Sequence, residues 1–565
     1  MDLKFNKVIL DIETDSLDAK KIHCICVQDY ETGEFKDFIQ EQGCEEFKQW
    51  HNQDRTYIMH NGISFDAPVL EKLLGITISL DKIIDTLLIS QMTNAHRDGG
   101  HSLKAWGKRL KGSGKLEFKD FTEYSEEMLK YCRQDVNLTR KILLHLTPII
   151  SKFSKESVRL EHKVRKIIDQ QEKKGFYLDV PKATDLLEEL KAKAEDIEKE
   201  LEVIFPTIIT PRYHKISGKR INDQVDKFNP NSRKQIADRL IHKFKWEPQK
   251  FTPTGQPIVD EGVLKKLPYP EAKRLHEYLL YSKRVSQISS WLKAVGKDNR
   301  VHGRVITLGC VTGRMSHYGP NMAQIPASYS PYGKECRSVW TIEDPEKYCL
   351  VGSDASSLEL RCFAHYLNNQ QFTEQVVDGD VHTYNQNIVG LPDRNTAKTW
   401  IYAFLYGAGD KKLGQIFGKD AQAGELSRKR YINKVEGMRQ LTGTLNKILR
   451  ERKRQTGEYQ LIAIDKRILL SRSIHASLNT LLQGCGAIIC KQWLINIIEQ
   501  VEQSKLDAIP VANIHDEVQF EVRKNQAEEF GLITKQAMKD VEQQLSIRCP
   551  LDSEFSIGTA WDQTH

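Results

Sequence analysis

Two acids stand two residues apart in the run VILDIET, Asp11 and Glu13. On a strand that spacing puts both carboxylates on one face, directly after apolar residues bound for a core. Buried acids so placed need a compensating cation, unless the strand simply ends at water. Two further segments weigh against a plain strand end: HNGISFD, with Asn61, Phe65 and Asp66, and YCRQD, where Tyr131 and Asp135 lie four apart and share one side of a helix. Asp11, Glu13, Asp66 and Asp135 together could hold two divalent cations that bridge a scissile phosphate and activate a water for in-line attack. Tyr131 would orient that water.

A second pair of acids lies far along the chain. LVGSDASSLELRCFAHYL puts Asp354 at the end of an apolar strand, followed by a helix with Glu359 and Arg361 in its first turns. In IPVANIHDEVQFEV the alternation of Ile514, Val518, Phe520 and Val522 marks a hairpin whose turn is read as His515, Asp516 and Glu517. Alone, that is an ordinary exposed polar turn. Beside Asp354, Asp516 would complete a two-carboxylate clamp for two Mg²⁺, one lowering the pKa of a 3′-hydroxyl and one neutralising a triphosphate. Between these acids RNTAKTWIYAFLY carries Arg394, Lys398, Tyr402 and Tyr406 at steps of four, a slowly turning stripe on an α-helix. Two cations followed by two rings suit a nucleotide; an amphipathic helix with a solvated basic end and a core aromatic end fits the same spacing. Gly407 and Gly409 would end or bend it. A long apolar helix over 474–503 carries His475, Asn479 and Gln483, again four apart. They would meet either the minor-groove acceptors of a duplex, which barely differ between base pairs, or partners in a helix–helix hydrogen-bond network.

These groups need several lobes to hold them. At 565 residues the chain is too long for one core, and three to five lobes are expected. Residues 1–150 alternate strand-like and helical runs, an α/β pattern. From 155 to 205 the sequence turns to long, charged helical stretches; 206–260 is polar, basic and Pro-containing; 261–297 is helical again. Strand-rich material at 301–370 and 508–565 brackets a helical region, 381–475, which suggests one sheet domain built from two separated segments. The composition, 39% hydrophobic and 28% charged, is that of a soluble globular chain and excludes a disordered one. The net charge is only +7, but residues 428–454 carry ten Lys or Arg against Glu436 and Glu451, and 211–250 carry eleven against four acids. Two surfaces therefore suit a polyanion, or are solvated helix faces. Eleven cysteines without a CxxC pair read as reduced, mostly buried thiols. No signal segment or run approaching a membrane span is read, so no membrane and a cytoplasmic location are expected.

The motifs carry a resemblance. DIET, NGISFD and YCRQD resemble the three exonuclease motifs of the DEDD superfamily, in the variant with Tyr before the last acid; Asp85, in DTLLIS, would lie near that site or serve structure. DASSLELR, RNTAKTWIYAFLYG and HDEV resemble motifs A, B and C of family A DNA polymerases, the group of bacterial DNA polymerase I and several phage replicases. TGRMSHYGPNMAQIP, HASLNTLLQG and the terminal GTAWDQTH fit the same family, so the resemblance covers nearly the full chain. It implies an α/β and α+β multidomain chain: a ribonuclease H-like 3′–5′ exonuclease domain (1–150) followed by a right-hand polymerase. The hand comprises a mostly helical thumb (151–300), a first palm segment (301–380), fingers (381–473), and a second palm segment with the minor-groove helix and motif C hairpin (474–565). Carried over by position, Asp354 and Asp516, with Glu517 beside them, are catalytic, and the Ala355 carbonyl helps hold metal. Arg394, Lys398 and His382 are implied triphosphate contacts, Glu359 near Tyr402 a barrier to a ribose 2′-hydroxyl, and Tyr406 a stacking group. Arg314, Asn321, Gln324, His475, Asn479, Gln483 and His515 are implied contacts to duplex or primer end.

The resemblance further implies Mg²⁺, two per active site with Mn²⁺ able to substitute, primer-template DNA and dNTPs, and a monomer. The layout is most similar to replicases of podovirus-like phages, which implies genome replication in an infected host's cytoplasm beside a helicase-primase and a single-strand-binding protein. There is no room before residue 11 for a 5′-nuclease domain, so RNA-primer removal is expected of another protein. Segment 207–228 is short where some relatives carry a thioredoxin-binding insertion, so no thioredoxin partner is expected. Tyr402 stands where family members carry Phe or Tyr and implies ready use of dideoxynucleotides. The alternatives are an exonuclease whose C-terminal half binds DNA without synthesis, an RNA polymerase or primase-type synthase, against which Glu359 argues, and a lesion-bypass enzyme, against which the complete exonuclease set argues.

Overall fold

The computed structural model describes residues 5–110 and 114–565. Its first unit is a mixed five-stranded sheet in the order β3-β2-β1-β4-β5, with β1 Lys7–Thr14, β2 Ile22–Asp29, β3 Phe35–Ile39, β4 Thr56–Met59 and β5 Ile83–Asp85. β1 pairs antiparallel with β2 and parallel with β4, so it is central and covered on both faces. Val8, Leu10 and Ile12 pack with Phe38 and Phe47 on one face. Ile9 on the other face packs with Met128, Cys132 and Val136 of the helix Glu126–Ile150. Period-2 alternation therefore aims Asp11 and Glu13 toward the helix that carries Tyr131 and Asp135.

The charged stretch that follows is two helices, Lys155–Lys174 and Val180–Ile204, broken where Gly175 takes φ +67°. A Cβ there would meet the His302 ring at 2.8 Å, so glycine is required for both conformation and space. The region read as a polar connector holds a hairpin, Ile208–Tyr213 with Arg220–Asp226, and a helix, Arg233–Phe244. The helix Pro270–Ala294 packs back along Val180–Ile204.

The last unit contains an antiparallel four-stranded sheet in the spatial order Ala508–Ile514, Glu517–Arg523, Tyr348–Ala355, Ser553–Gly558. Tyr348–Ala355 pairs with strands from the far end of the chain on both sides, as the bracketed strand-rich segments suggest. Between them lie the helices Val381–Val389, Arg394–Leu405, Ala421–Lys434 and Met438–Thr456. That region also holds a strand pair, Gln460–Ile462 with Ile468–Leu470, within a stretch expected to be mainly helical. The apolar helix spans Ser477–Ser504, later than expected, so His475 lies in the turn ahead of it. Contrary to the sequence reading, this helix is long and apolar enough to cross a membrane by length and composition. It is instead a core helix: 83% of its most apolar stretch is buried, and Trp493 Nε1 donates to Thr534 O at 2.8 Å in the helix Ala527–Gln544.

Candidate active sites

The four N-terminal acids converge. Asp11 and Glu13 come from β1, Asp66 from the first turn of the helix Asp66–Leu74, and Asp135 from the helix Glu126–Ile150. Ile12 N–H donates to Asp66 Oδ1 at 3.2 Å, which fixes Asp66 against β1. Asp85 accepts from the N–H groups of Asn61 (3.0 Å), Ile63 (3.3 Å) and Leu87 (2.9 Å), so it shapes the loop that delivers Asp66, a structural role. Burial pushes all four carboxyls up: Asp11 well above its usual range, with repulsion from Glu13, Asp66 and Asp135 adding to it; Glu13 to about 9, with Cys24 and then Asp135 adding; Asp66 to about 7, with Asp85 adding; and Asp135 upward against the pull of Lys115. Asp135 Oδ1 is buried with no hydrogen-bond partner. Crowded, repelling oxygens with an orphaned lone pair are the donor chemistry of a hard divalent cation, and the set fits one. The sequence reading missed Lys115, whose ammonium touches Asp135 Oδ2 and lies 4.6 Å from the Tyr131 ring centroid. It sits in a Gly- and Lys-rich stretch with no periodicity to mark it.

The second pair of acids meets where Tyr348–Ala355 ends beside the hairpin turn. Ala355 N–H donates to Asp516 O at 3.0 Å, which places the Asp354 and Asp516 backbones side by side. Burial and then Asp516 raise Asp354 to about 7, and burial raises Asp516. Glu517 differs from expectation. The turn is only His515 and Asp516, with His515 at φ +59°, and Glu517 opens the next strand. Its carboxylate accepts from Trp561 Nε1 and Gln519 Nε2 (2.7 Å), pairs with His565 Nδ1 at 2.8 Å, and faces Arg337. Against burial, His565 holds it below its usual range. Glu517 thus lies opposite Asp354 across the two strands, while its oxygens are bound by Trp561, Gln519 and His565.

Glu359 accepts from Arg314 Nη2 at 2.9 Å and from the Tyr406 hydroxyl, so it ties the loop between the strands Arg304–Ile306 and Ser316–Tyr318 to the end of the helix Arg394–Leu405. Tyr402 lies 6.3 Å from Tyr406 and 6.2 Å from His382, ring centroid to centroid. The helix is capped by Asp393, and on its inner side Trp400 stacks on Phe404 at 5.3 Å. Arg394 and Lys398 are exposed; Arg394 pairs with Asp380 at 2.7 Å, and Lys398 makes no ion pair among the described residues. Burial, then these two cations, lower the His382 pKa, which favours its neutral imidazole. Gly407 takes φ +78°, and a Cβ there would meet His475 O at 3.1 Å, so the helix end seats directly on that turn.

Of the expected duplex contacts, Arg314 and His515 lie beside Asp516. Burial and then Arg314 lower the His515 pKa. Asn321 precedes and Gln324 ends a short 3₁₀ turn, where Gln324 O accepts from Gln287 Nε2 at 2.7 Å. None of the His475, Asn479 and Gln483 side chains finds a hydrogen bond among the described residues, and Asn479 Oδ1 is buried without one. No helix–helix hydrogen-bond network at these three side chains is seen among the described residues.

The description DNA polymerase family A matches residues 209–563, and 3′-5′ exonuclease matches residues 1–151. DNA-directed DNA polymerases of Enterobacteria phage T3 and Escherichia phage T7 are each 30% identical over 99% of this chain and all of theirs. DNA polymerase I of Aquifex aeolicus is 24% identical over 90% of this chain and 86% of its own. The fold is like that of the POL domain of Pol1 from M. smegmatis in complex with DNA primer-template and dNTP, with TM-score 0.79 at 18% identity, covering 99% of this chain and 96% of that one. The chain belongs to the family A DNA polymerases and carries their 3′–5′ exonuclease domain ahead of the polymerase domain.

Proposed function

We propose that this polymerase extends a primer 3′-OH with dNTPs at Asp354 and Asp516 and removes mispaired 3′ nucleotides at Asp11, Glu13, Asp66 and Asp135. The observation that carries the reading is the pairing of the Asp354 strand end with the Asp516 turn, beside a cationic helix face and unpartnered polar groups. Asp354 and Asp516, with the Ala355 carbonyl, would hold two Mg²⁺, as would the four exonuclease acids; Mn²⁺ would serve in their place. Bound there, such ions supply Lewis acidity and neutralise phosphate charge.

The protein's own groups do the rest. Arg394 and Lys398 hold the triphosphate by charge, and the neutral His382 offers a hydrogen bond beside them. Glu359, kept in place by Arg314 and Tyr406, stands against a ribose 2′-hydroxyl near Tyr402, and Tyr406 supplies a stacking face. Arg314, Asn321, Gln324, His475, Asn479, Gln483 and His515 donate to acceptors common to all base pairs, so grip does not depend on sequence. In the exonuclease site Tyr131 orients the attacking water, and Lys115 offsets carboxylate repulsion at Asp135. The phage relatives and the polymerase domain support genome copying and speak against a purely nucleolytic chain; a host cytoplasm, a helicase-primase and a single-strand-binding protein as partners, and no thioredoxin, complete the proposal. Single-nucleotide addition opposite each of the four template bases tests the reading. Only the complementary dNTP should add rapidly, and addition that ignores the template base would refute it.

A further inference from the structure

Between the exonuclease and polymerase units lies a cleft of about 770 Å³. Its exonuclease wall includes Asn61, in the loop that leads to Asp66, and Lys115, which touches Asp135. Its opposite wall is the short strand pair Arg304–Ile306 and Ser316–Tyr318. That wall is fixed. Glu172, buried on the helix Lys155–Lys174, accepts from Val305 N–H at 2.8 Å and from Arg304 Nη1 at 3.1 Å, and pairs with Arg165 at 3.2 Å. The same helix reaches the exonuclease unit, where His162 Nε2 accepts from Asp85 N–H at 2.9 Å.

Arg304 and Tyr318 are directly opposite each other across the two strands, so their side chains stand together on one face. Both project into the cleft and are open to solvent, with 61% of the Arg304 side chain and 54% of Tyr318 exposed. A guanidinium beside a bare phenol ring is a unit for one nucleotide of a single strand, phosphate on the cation and base on the ring. The loop joining these two strands carries Arg314, which holds Glu359 in the polymerase site. One rigid strand pair thus reaches from the polymerase site to the mouth of the exonuclease site.

We infer that Arg304 and Tyr318 form a docking step for the unpaired 3′ segment of a primer on its way from the polymerase carboxylates to the exonuclease carboxylates. The ligand is single-stranded DNA a few nucleotides from its 3′ end. The inference rests on the two activities proposed above. It makes Tyr318 a positioning residue for proofreading, outside both sets of reacting groups.

The test compares wild type, Tyr318→Ala and Tyr318→Phe on three substrates: a matched primer-template for extension, a primer-template with a mispaired 3′ end for excision, and a dinucleotide too short to span the cleft. Loss of one base–ring stack should slow mismatch excision by Tyr318→Ala about tenfold, while matched extension and dinucleotide cleavage stay within about twofold. Tyr318→Phe keeps the ring and should excise like wild type. A photoreactive 5-iodouracil a few nucleotides from the 3′ end should crosslink to Tyr318 from the mismatched primer and not from the matched one. Unchanged mismatch excision in Tyr318→Ala overturns the inference, as does an equal loss in matched extension, which would place Tyr318 on the duplex. If wild type itself neither extends nor excises, it is the underlying reading of function that fails.

Discussion

Replacing Glu161 by glutamine removes one charge from a cluster shut off from water. Glu161, on the helix Lys155–Lys174, is fully buried. Both its oxygens accept from Lys491 Nζ at 2.8 Å, and it pairs with Arg467, which Asp465 also holds at 2.7 Å. Two cations thus balance two acids, and the cluster joins this helix to the Gln460–Leu470 strand pair and to the helix Ser477–Ser504. Against burial, Lys491 and then Arg467 hold Glu161 below its usual range. Burial pulls Lys491 from 10.5 to about 8, with Arg467 adding to the fall and Glu161 resisting it. Each unit is worth about 1.4 kcal/mol, so this lysine already costs roughly 3 kcal/mol at neutral pH. The unfolded lysine keeps its proton between about 8 and 10.5 while the folded one loses it, so the Lys491 contribution to stability rises with pH across that window.

In Glu161→Gln the attraction to Lys491 is gone, and removing one partner of a buried pair costs about 3–5 kcal/mol. Adding Lys491→Met removes the stranded cation and should restore more than half of that loss, since Arg467 keeps Asp465. Amide hydrogen exchange in the helix Ser477–Ser504 reads the local opening energy directly. A single variant within about 1 kcal/mol of wild type, below the range for a broken buried pair, would refute the reasoning. So would a double variant weaker than the single one.

Two further outcomes follow from the sites. Tyr402→Phe removes a hydroxyl able to stand in for a missing 3′-hydroxyl, so discrimination against dideoxynucleotides should rise roughly fivefold or more, the worth of one hydrogen bond; unchanged selectivity in competitive incorporation would contradict the assignment. In the exonuclease unit the raised folded-state pKa values, Asp66 about 7 and Glu13 about 9, mean that the cation-free form binds more protons than the unfolded chain. Its stability should therefore fall as pH rises from about 4 to about 9. Thermal unfolding in EDTA across that range should show the fall and Mg²⁺ should offset it; equal pH profiles with and without Mg²⁺ would count against a cation site.

The acids of both sites were legible because chemistry and secondary structure share a period. Asp11 and Glu13 obey the strand repeat of two, and Tyr131 and Asp135 the helical step of four. What escaped depends on contacts that no local pattern marks. Lys115 meets Asp135 from a loop. Glu517 looked like the third residue of a polar turn because its partners, Trp561 and His565, lie at the chain's end. His475 keeps the four-residue step of Asn479 and Gln483 yet precedes the helix, since spacing alone does not locate a terminus. Glu161 was hidden in a run of charges, where a fully buried acid reads like its solvated neighbours.

The central claim is that one chain holds two separate metal-dependent sites, one that adds nucleotides and one that removes them. Its most direct test is a labelled primer on a longer template with Mg²⁺, with and without dNTPs, in wild type, Asp354→Ala and Asp11→Ala. Asp354→Ala should lose template-directed extension and keep 3′ shortening, while Asp11→Ala should lose shortening and keep extension. Shortening without extension in wild type, or loss of both activities in either variant that remains folded, would contradict the claim.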